Sequence, residues 1–365
     1  MRIWCWVLLL VSLNGSIGLL NAEPVKVDKL NRKNWVVTET ANFKVLSDLN
    51  SKRVLKIVRD LEKFRAFSLY LLNSPAQISG AQPIVVIATK SRKTWSHLGL
   101  PKDYVSITDT VRSGQTTIFA DIKGFTGSTT RKSNMGKATV FSAIAFQLFH
   151  DLDLIESTPF WYQEGVYHYL AGFTEKDSYY SVGELEAMGR RLAALFQSNG
   201  RLRRIDVKAL MSRKSYVSPV TNTEIKGLAR DQFLAQAYLL VHYLYSDQER
   251  TKMLSKFLAS EGVDLTLEQR IKNSFGKTSD QLALNLAFYA ESKVSSMIRD
   301  KELVDKELSS LLSNGVEQRV LNEAELWRLL QPRMARLPES ILSFQNKKEM
   351  YNKVKHHLPE IESLF

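Results

Sequence analysis

The chain of 365 residues has a single cysteine, Cys5, and it sits in the first apolar stretch. Once that stretch is removed no thiol remains, which excludes disulfides, thiolate metal sites and a cysteine nucleophile. Such an absence suits an oxidising compartment, where a stray thiol is a liability. Outside residues 1–22 no apolar run reaches the ~18 residues that span a bilayer, so no transmembrane segment is expected after signal cleavage. None of the six histidines is followed by glutamate, so the zinc motif H-E-x-x-H is missing. The nucleophile elbow G-x-S-x-G is missing as well. Ser274-Phe-Gly-Lys277 and Gly276-Lys277-Thr278 are fragments of catalytic and phosphate-loop patterns, without the flanking residues that would complete them. Internal repeats and low-complexity tracts are also lacking.

What is present describes a globular protein. Hydrophobic residues make up 44% and charged residues 24% of the chain, a balance that rules out disordered and collagen-like classes. Its length suits two domains, or one large domain with an extension. The net charge is +12, with a basic run at residues 190–214. Arg190, Arg191, Arg201, Arg203, Arg204, Lys208, Arg213 and Lys214 stand there against Asp206 alone. That run is either a polyanion contact or a solvated face. No recognition motif accompanies it, so nucleic acid is not expected as a partner.

Met1-Arg2 supplies a positive start, residues 3–10 (IWCWVLLL) an apolar core, and Ala22 a small residue before Glu23-Pro24. This order predicts a cleavable export signal at residues 1–22 and a periplasmic or secreted protein. A retained anchor is the alternative, and Asn14, Gly15 and Asn21 interrupt the apolar run that it would need.

Alternating residues predict strands at 35–40 and 42–47. Ser51 opens a long helix with apolar residues at Val54, Ile57, Val58, Leu61 and Phe64. Residues 83–88 (PIVVIA) predict a buried central strand, and 116–120 a further one. A Gly/Ser/Thr-rich loop is expected at 123–137, then helices at 138–150, 161–171, 184–196, 231–245, 248–259, 266–275 and 279–292. Strands first and helices afterwards predict an α+β fold. Residues 299–365 read as a separate helical extension, leaving 23–298 as the main domain.

Residues 158–170 read TPFWYQEGVYHYL. This segment resembles the P-x-W-x-x-E-G-x-x-x-Y signature of the peptidase MA-like domains, which are relatives of the gluzincins. The openings at 34–35 and 42–45, the helix around 61–65, the strand at 83–87 and residues 237–244 agree with it. The resemblance covers about residues 34–294. It implies a zincin-like fold with a small N-terminal mixed sheet and a predominantly helical C-terminal half.

In that family H-E-x-x-H lies on the preceding helix, where two histidines bind zinc and the glutamate polarises the bound water. The glutamate of W-x-x-E-G completes the metal site and corresponds here to Glu164. The preceding helix reads VFSAIAFQLF over 140–149, placing Ser142 and Phe146 at the histidine positions and Ala143 at the general base. These side chains cannot hold zinc or take its water's proton. The resemblance therefore implies a pseudoenzyme with no metal, no cofactor and no catalytic residue. Its remnant cleft would bind a peptide, envelope polymer or partner protein through Glu164, Trp161, Tyr162, Tyr167 and His168.

Plainer readings stand beside these. Glu164 can pair with a nearby arginine, His168 can be a partly exposed surface residue, and the aromatics can be core. Two other functions stay open: a hydrolase using Glu164 with His168 or His150 in a rearranged site, and a structural or assembly protein of the cell envelope.

Overall fold

A computed structural model describes residues 23–74, 78, 80–102, 104, 106–110, 116–122, 131–184, 188–217, 223–292, 297–300, 305 and 315–358. The expected export signal lies outside them. The chain forms two compact units, one of residues 1–143 with 304–365 and the other of 144–303.

A short helix, α1 (Val27–Asn31), leads into a hairpin of β1 (Trp35–Glu39) and β2 (Phe43–Ser47). The Thr40 hydroxyl accepts from the Phe43 amide and closes the turn. Asn50 then caps α2 (Ser51–Leu71), its side chain accepting from the Arg53 amide. The helical spacing of Val54, Ile57, Val58, Leu61 and Phe64 becomes the buried face of α2. After it come β3 (Ile84–Thr89), α3 (Arg92–His97), β4 (Ser106–Thr110), β5 (Thr116–Asp121) and α4 (Arg131–Asp151). Residues 131–137, expected as loop, are thus helical. The rest of the expected loop lies outside the described residues.

The second unit begins within α4 and continues through α5 (Leu154–Ser157), α6 (Phe160–Ala171), β6 (Thr174–Glu175) and β7 (Tyr179–Val182). A 3-10 helix (Gly189–Leu195) stands within the span expected as an α-helix, 184–196. It is followed by α7 (Val207–Ser212), α8 (Gly227–Tyr245), α9 (Gln248–Ala259), α10 (Leu267–Phe275), α11 (Ser279–Glu291) and β8 (Met297–Asp300). Strands β6, β7 and β8 make a small antiparallel sheet. The Gly276-Lys277-Thr278 fragment is helix punctuation. Gly276 takes a left-handed φ of 65° to end α10, and Thr278 caps α11 in a capping box.

The chain then returns to the first unit with β9 (Glu317–Leu321), α12 (Glu323–Arg336) and α13 (Phe344–Val354). The mixed sheet there runs β4-β5-β3-β2-β1-β9. Strand β3 is parallel to both neighbours, β2 and β5, and all six of its residues are buried, as its unbroken apolar run predicted. On one face Trp35, Val37, Val85, Ile87 and Phe119 join a core with Trp327, Leu330, Met334 and Met350 of the returning segment. On the other face alternate residues such as Val36, Val45 and Val86 are equally buried, where α2 packs against β1 and β2.

Residues 299–365 are therefore not a separate extension as expected. Their strand β9 pairs with β1 from Trp35↔Leu321 to Glu39↔Glu317. Arg336 of α12 holds Asp109 of β4 at 2.9 Å, and Trp327 donates to the Asn31 side chain at 2.7 Å. The fold is mixed α and β, with a mixed six-stranded sheet. Among the described residues no helix is long and apolar enough to cross a membrane.

Candidate functional site

Helix α6 carries the segment 160–171, and every residue from Trp161 to Ala171 is buried. Its entry is held by Gln163, whose side-chain amide donates to the carbonyls of Ile155 and Thr158, each at 2.7 Å. Gly165 lets α8 approach closely. A Cβ there would lie 2.5 Å from Val241 Cγ2 and 2.6 Å from the Ala237 carbonyl oxygen.

Around α6 the aromatic side chains pack rather than open a groove. Trp161 meets Tyr162 and Phe257 edge-on. The Tyr162 and Tyr245 hydroxyls share a 2.8 Å hydrogen bond, with both residues in the interior. Tyr167 receives Phe146 at 5.8 Å and Phe149 at 5.0 Å between ring centroids, both edge-on. Trp161, Tyr162 and Tyr167, expected along a remnant cleft, are thus core residues, because an apolar helix surrounded on all sides keeps its rings from solvent.

The polar face of α6 is different. Glu164 and His168 lie one turn apart and are only 2% and 7% exposed, so His168 is not the partly exposed residue expected. Burial raises the Glu164 pKa, against the opposing pull of the Tyr216 hydroxyl and of Arg230 and Arg191. Tyr216 faces the carboxyl closely enough to favour its charge, yet neither Tyr216 Oη nor Glu164 Oε2 closes a hydrogen bond of ordinary geometry. Arg191 Nη1 stands 3.4 Å from His168 Nε2. A guanidinium only donates, so Nε2 is the acceptor and the imidazole is neutral with its proton on Nδ1. Burial, then Arg191 and Arg230, push the His168 pKa well below its ordinary value.

Two cations complete the cluster. Arg191 Nε lies 3.6 Å from Asp231 Oδ1, and Arg230 stacks 4.3 Å over the Tyr216 ring. The rings of Tyr216, Phe160 and Phe233 meet at 5.0–6.0 Å behind it.

Comparison with family models, with curated proteins and with solved structures finds no match to this chain in any of the three. The chemistry must therefore be judged from the cluster itself. Among the described residues no three His, Cys, Asp or Glu side chains converge to hold a metal. His150, considered as a partner for Glu164, has a 44% exposed side chain beside Asp151 at 3.6 Å. Its place at the end of α4 turns it to solvent instead of toward α6.

Arg191, Tyr216, Arg230 and Asp231 were not legible as site residues. They come from the 3-10 helix, a connection and the start of α8, and no spacing along the chain relates them to Glu164. The basic run at 190–214 is divided. Arg191 turns inward, Arg203 donates to the Phe196 carbonyl at 3.0 Å and Arg213 lies 5.4 Å over the Phe233 ring, whereas Arg201, Arg204, Lys208 and Lys214 are exposed.

Proposed function

We propose that the protein is an exported, non-catalytic relative of the peptidase MA-like domains that acts by binding a peptide, an envelope polymer or a partner protein. The observation that supports this reading is that packed rings and two arginines, among the described residues, surround Glu164. Phe146, at a position where the family bears a zinc-binding histidine, packs edge-on against Tyr167. Ala143, at the general-base position, is fully buried. Glu164, at the third-ligand position, faces Arg191 and Arg230, which supply the positive charge that a metal would bring. A divalent cation placed beside two guanidiniums would be repelled by both.

The zincin-like scaffold is supported by chain order. Mixed sheet, then α4, then the helix bearing W-x-x-E-G follow one another as the resemblance requires. The export signal at 1–22 and the thiol-free mature sequence support a periplasmic or secreted location. Against the rearranged hydrolase stands the hydrogen bond that His168 Nε2 accepts from Arg191, which occupies the lone pair a general base would use.

The test is a peptide-library digestion by the purified mature protein, with and without a chelator. No cleavage above background in either condition is expected. Chelator-sensitive cleavage that Glu164→Gln abolishes would overturn the reading.

A further inference from the structure

We propose that the Arg191–His168 contact is a proton-operated latch: a proton on His168 breaks it and frees Arg191 from α6, loosening the 3-10 helix Gly189–Leu195, which otherwise packs on α8. This inference does not depend on the ancestry of the scaffold. It starts from the direction of one hydrogen bond. Arg191 Nη1 donates to His168 Nε2 at 3.4 Å, so the contact exists only while Nε2 holds a free lone pair. When Nε2 gains a proton, two donors and two positive charges confront each other at a residue that is 7% exposed. So little exposed, the added charge is costly unless the cluster rearranges.

The cations around His168 oppose the added charge. Of the described ionisable groups, α6 carries Tyr162, Glu164, Tyr167 and Tyr169, the 3-10 helix Arg191, the connection before α8 Tyr216, and α8 Arg230 and Asp231 at its start with Tyr238, His242, Tyr243 and Tyr245 further along. Of the other elements packed on α6, α4 ends in His150 and Asp151, α7 has Lys208, which is exposed, and β7 Tyr179 and Tyr180. Arg191 and Arg230 both oppose a proton on His168. Asp231 is engaged with Arg191 at 3.6 Å, and burial pushes Glu164 toward its neutral form. Movement of Arg191 is the route that relieves the clash, since its Asp231 partner is 38% exposed and can follow it toward solvent.

Hydrogen exchange on the full mature chain tests this, corrected for the intrinsic pH dependence of amide exchange. Between neutral pH and a pH well below the ordinary imidazole range, toward which burial and the two arginines push His168, exchange in 189–195 should rise about tenfold. In parallel, the His168 imidazole resonance of the unmodified protein should titrate over the same range. His168→Gln, whose side-chain oxygen still accepts from Arg191 but takes no proton, should hold exchange at the neutral-pH level. Glu164→Gln should keep the transition. The latch is refuted by equal exchange at both pH values, by a His168 resonance that does not move with the transition, or by a transition that survives His168→Gln. Loss of the transition in Glu164→Gln alone also refutes it, since the sensor would then be the carboxyl.

Discussion

The glutamate and the glycine of the W-x-x-E-G segment are held by unlike constraints. Glu164 is fixed by charge: desolvation pushes its proton affinity up while two guanidiniums and a phenol push it down. Gly165 is fixed by space, since Val241 and the Ala237 carbonyl stand where a Cβ would go. Gly165→Ala should therefore destabilise the fold by about 1–3 kcal/mol, the usual range for forced overpacking. Urea denaturation measures it, and an unchanged midpoint would mean that α6 and α8 are not in contact. Gly183 is constrained twice, by a φ of +76° and by Tyr169 Cε2 at 2.6 Å from a built Cβ.

Two imidazoles give stability a pH dependence. His168 and His242 both have pKa values below the ordinary one, burial being the first cause in each. As pH falls below about 6.5 the unfolded chain takes up protons that these residues refuse in the fold, so their contribution to stability is lost on acidification. Glu62 and Glu164, whose pKa values are raised, act in the opposite sense as pH falls toward the carboxylate range. Denaturation midpoints at pH 7.5 and 5.5 should consequently fall less in His168→Gln than in the unmodified protein. Equal slopes would show that His168 titrates as it does in the unfolded chain.

Among the elements, those that carry a strong period were legible. Helix α2 and strand β3 announce themselves by 3.6-residue and unbroken apolar patterns, because each buries a face defined within its own sequence. Strand β9 did not. Its residues Glu317, Arg319 and Val320 are exposed and only Leu321 is buried, the composition of a short edge strand that discourages further pairing. Such a strand looks like the charged helices around it. The 3-10 helix was missed for another reason: it is a short segment placed by packing on α8, with Ala194 and Leu195 buried, and carries no long apolar repeat of its own. Phe146 belongs to an element whose type was clear and whose packing was not. Phe146→Ala should cost about 3 kcal/mol through the lost ring and the space left against Tyr167. A neutral substitution would mean that this stretch of α4 is not packed on α6.

At the scale of the molecule, the described residues before Ala143 and those from Gly315 to Leu358 belong to the same unit. Leu321, Leu326, Trp327, Leu330 and Met334 belong to the same core as Trp35 and Ile87. Residues 23–298 expressed alone should therefore lose cooperative unfolding of the sheet unit, seen as a broadened calorimetric transition. A sharp transition like that of the full chain would restore the separate extension. Distance along the sequence hid this closure, because local patterning says nothing about which distant strand completes a sheet. The candidate site was half legible for a related reason. Glu164 and His168 stand in one recognisable segment, whereas the arginines that decide their chemistry arrive from elements further along the chain.

Zinc stoichiometry tests most directly whether a catalytic ion is seated beside Glu164. The mature protein would be equilibrated with zinc, desalted, and measured by elemental mass spectrometry beside Glu164→Gln. Far less than one zinc per chain, equal in the two proteins, is the predicted result. One zinc per chain that disappears with Glu164→Gln would contradict it.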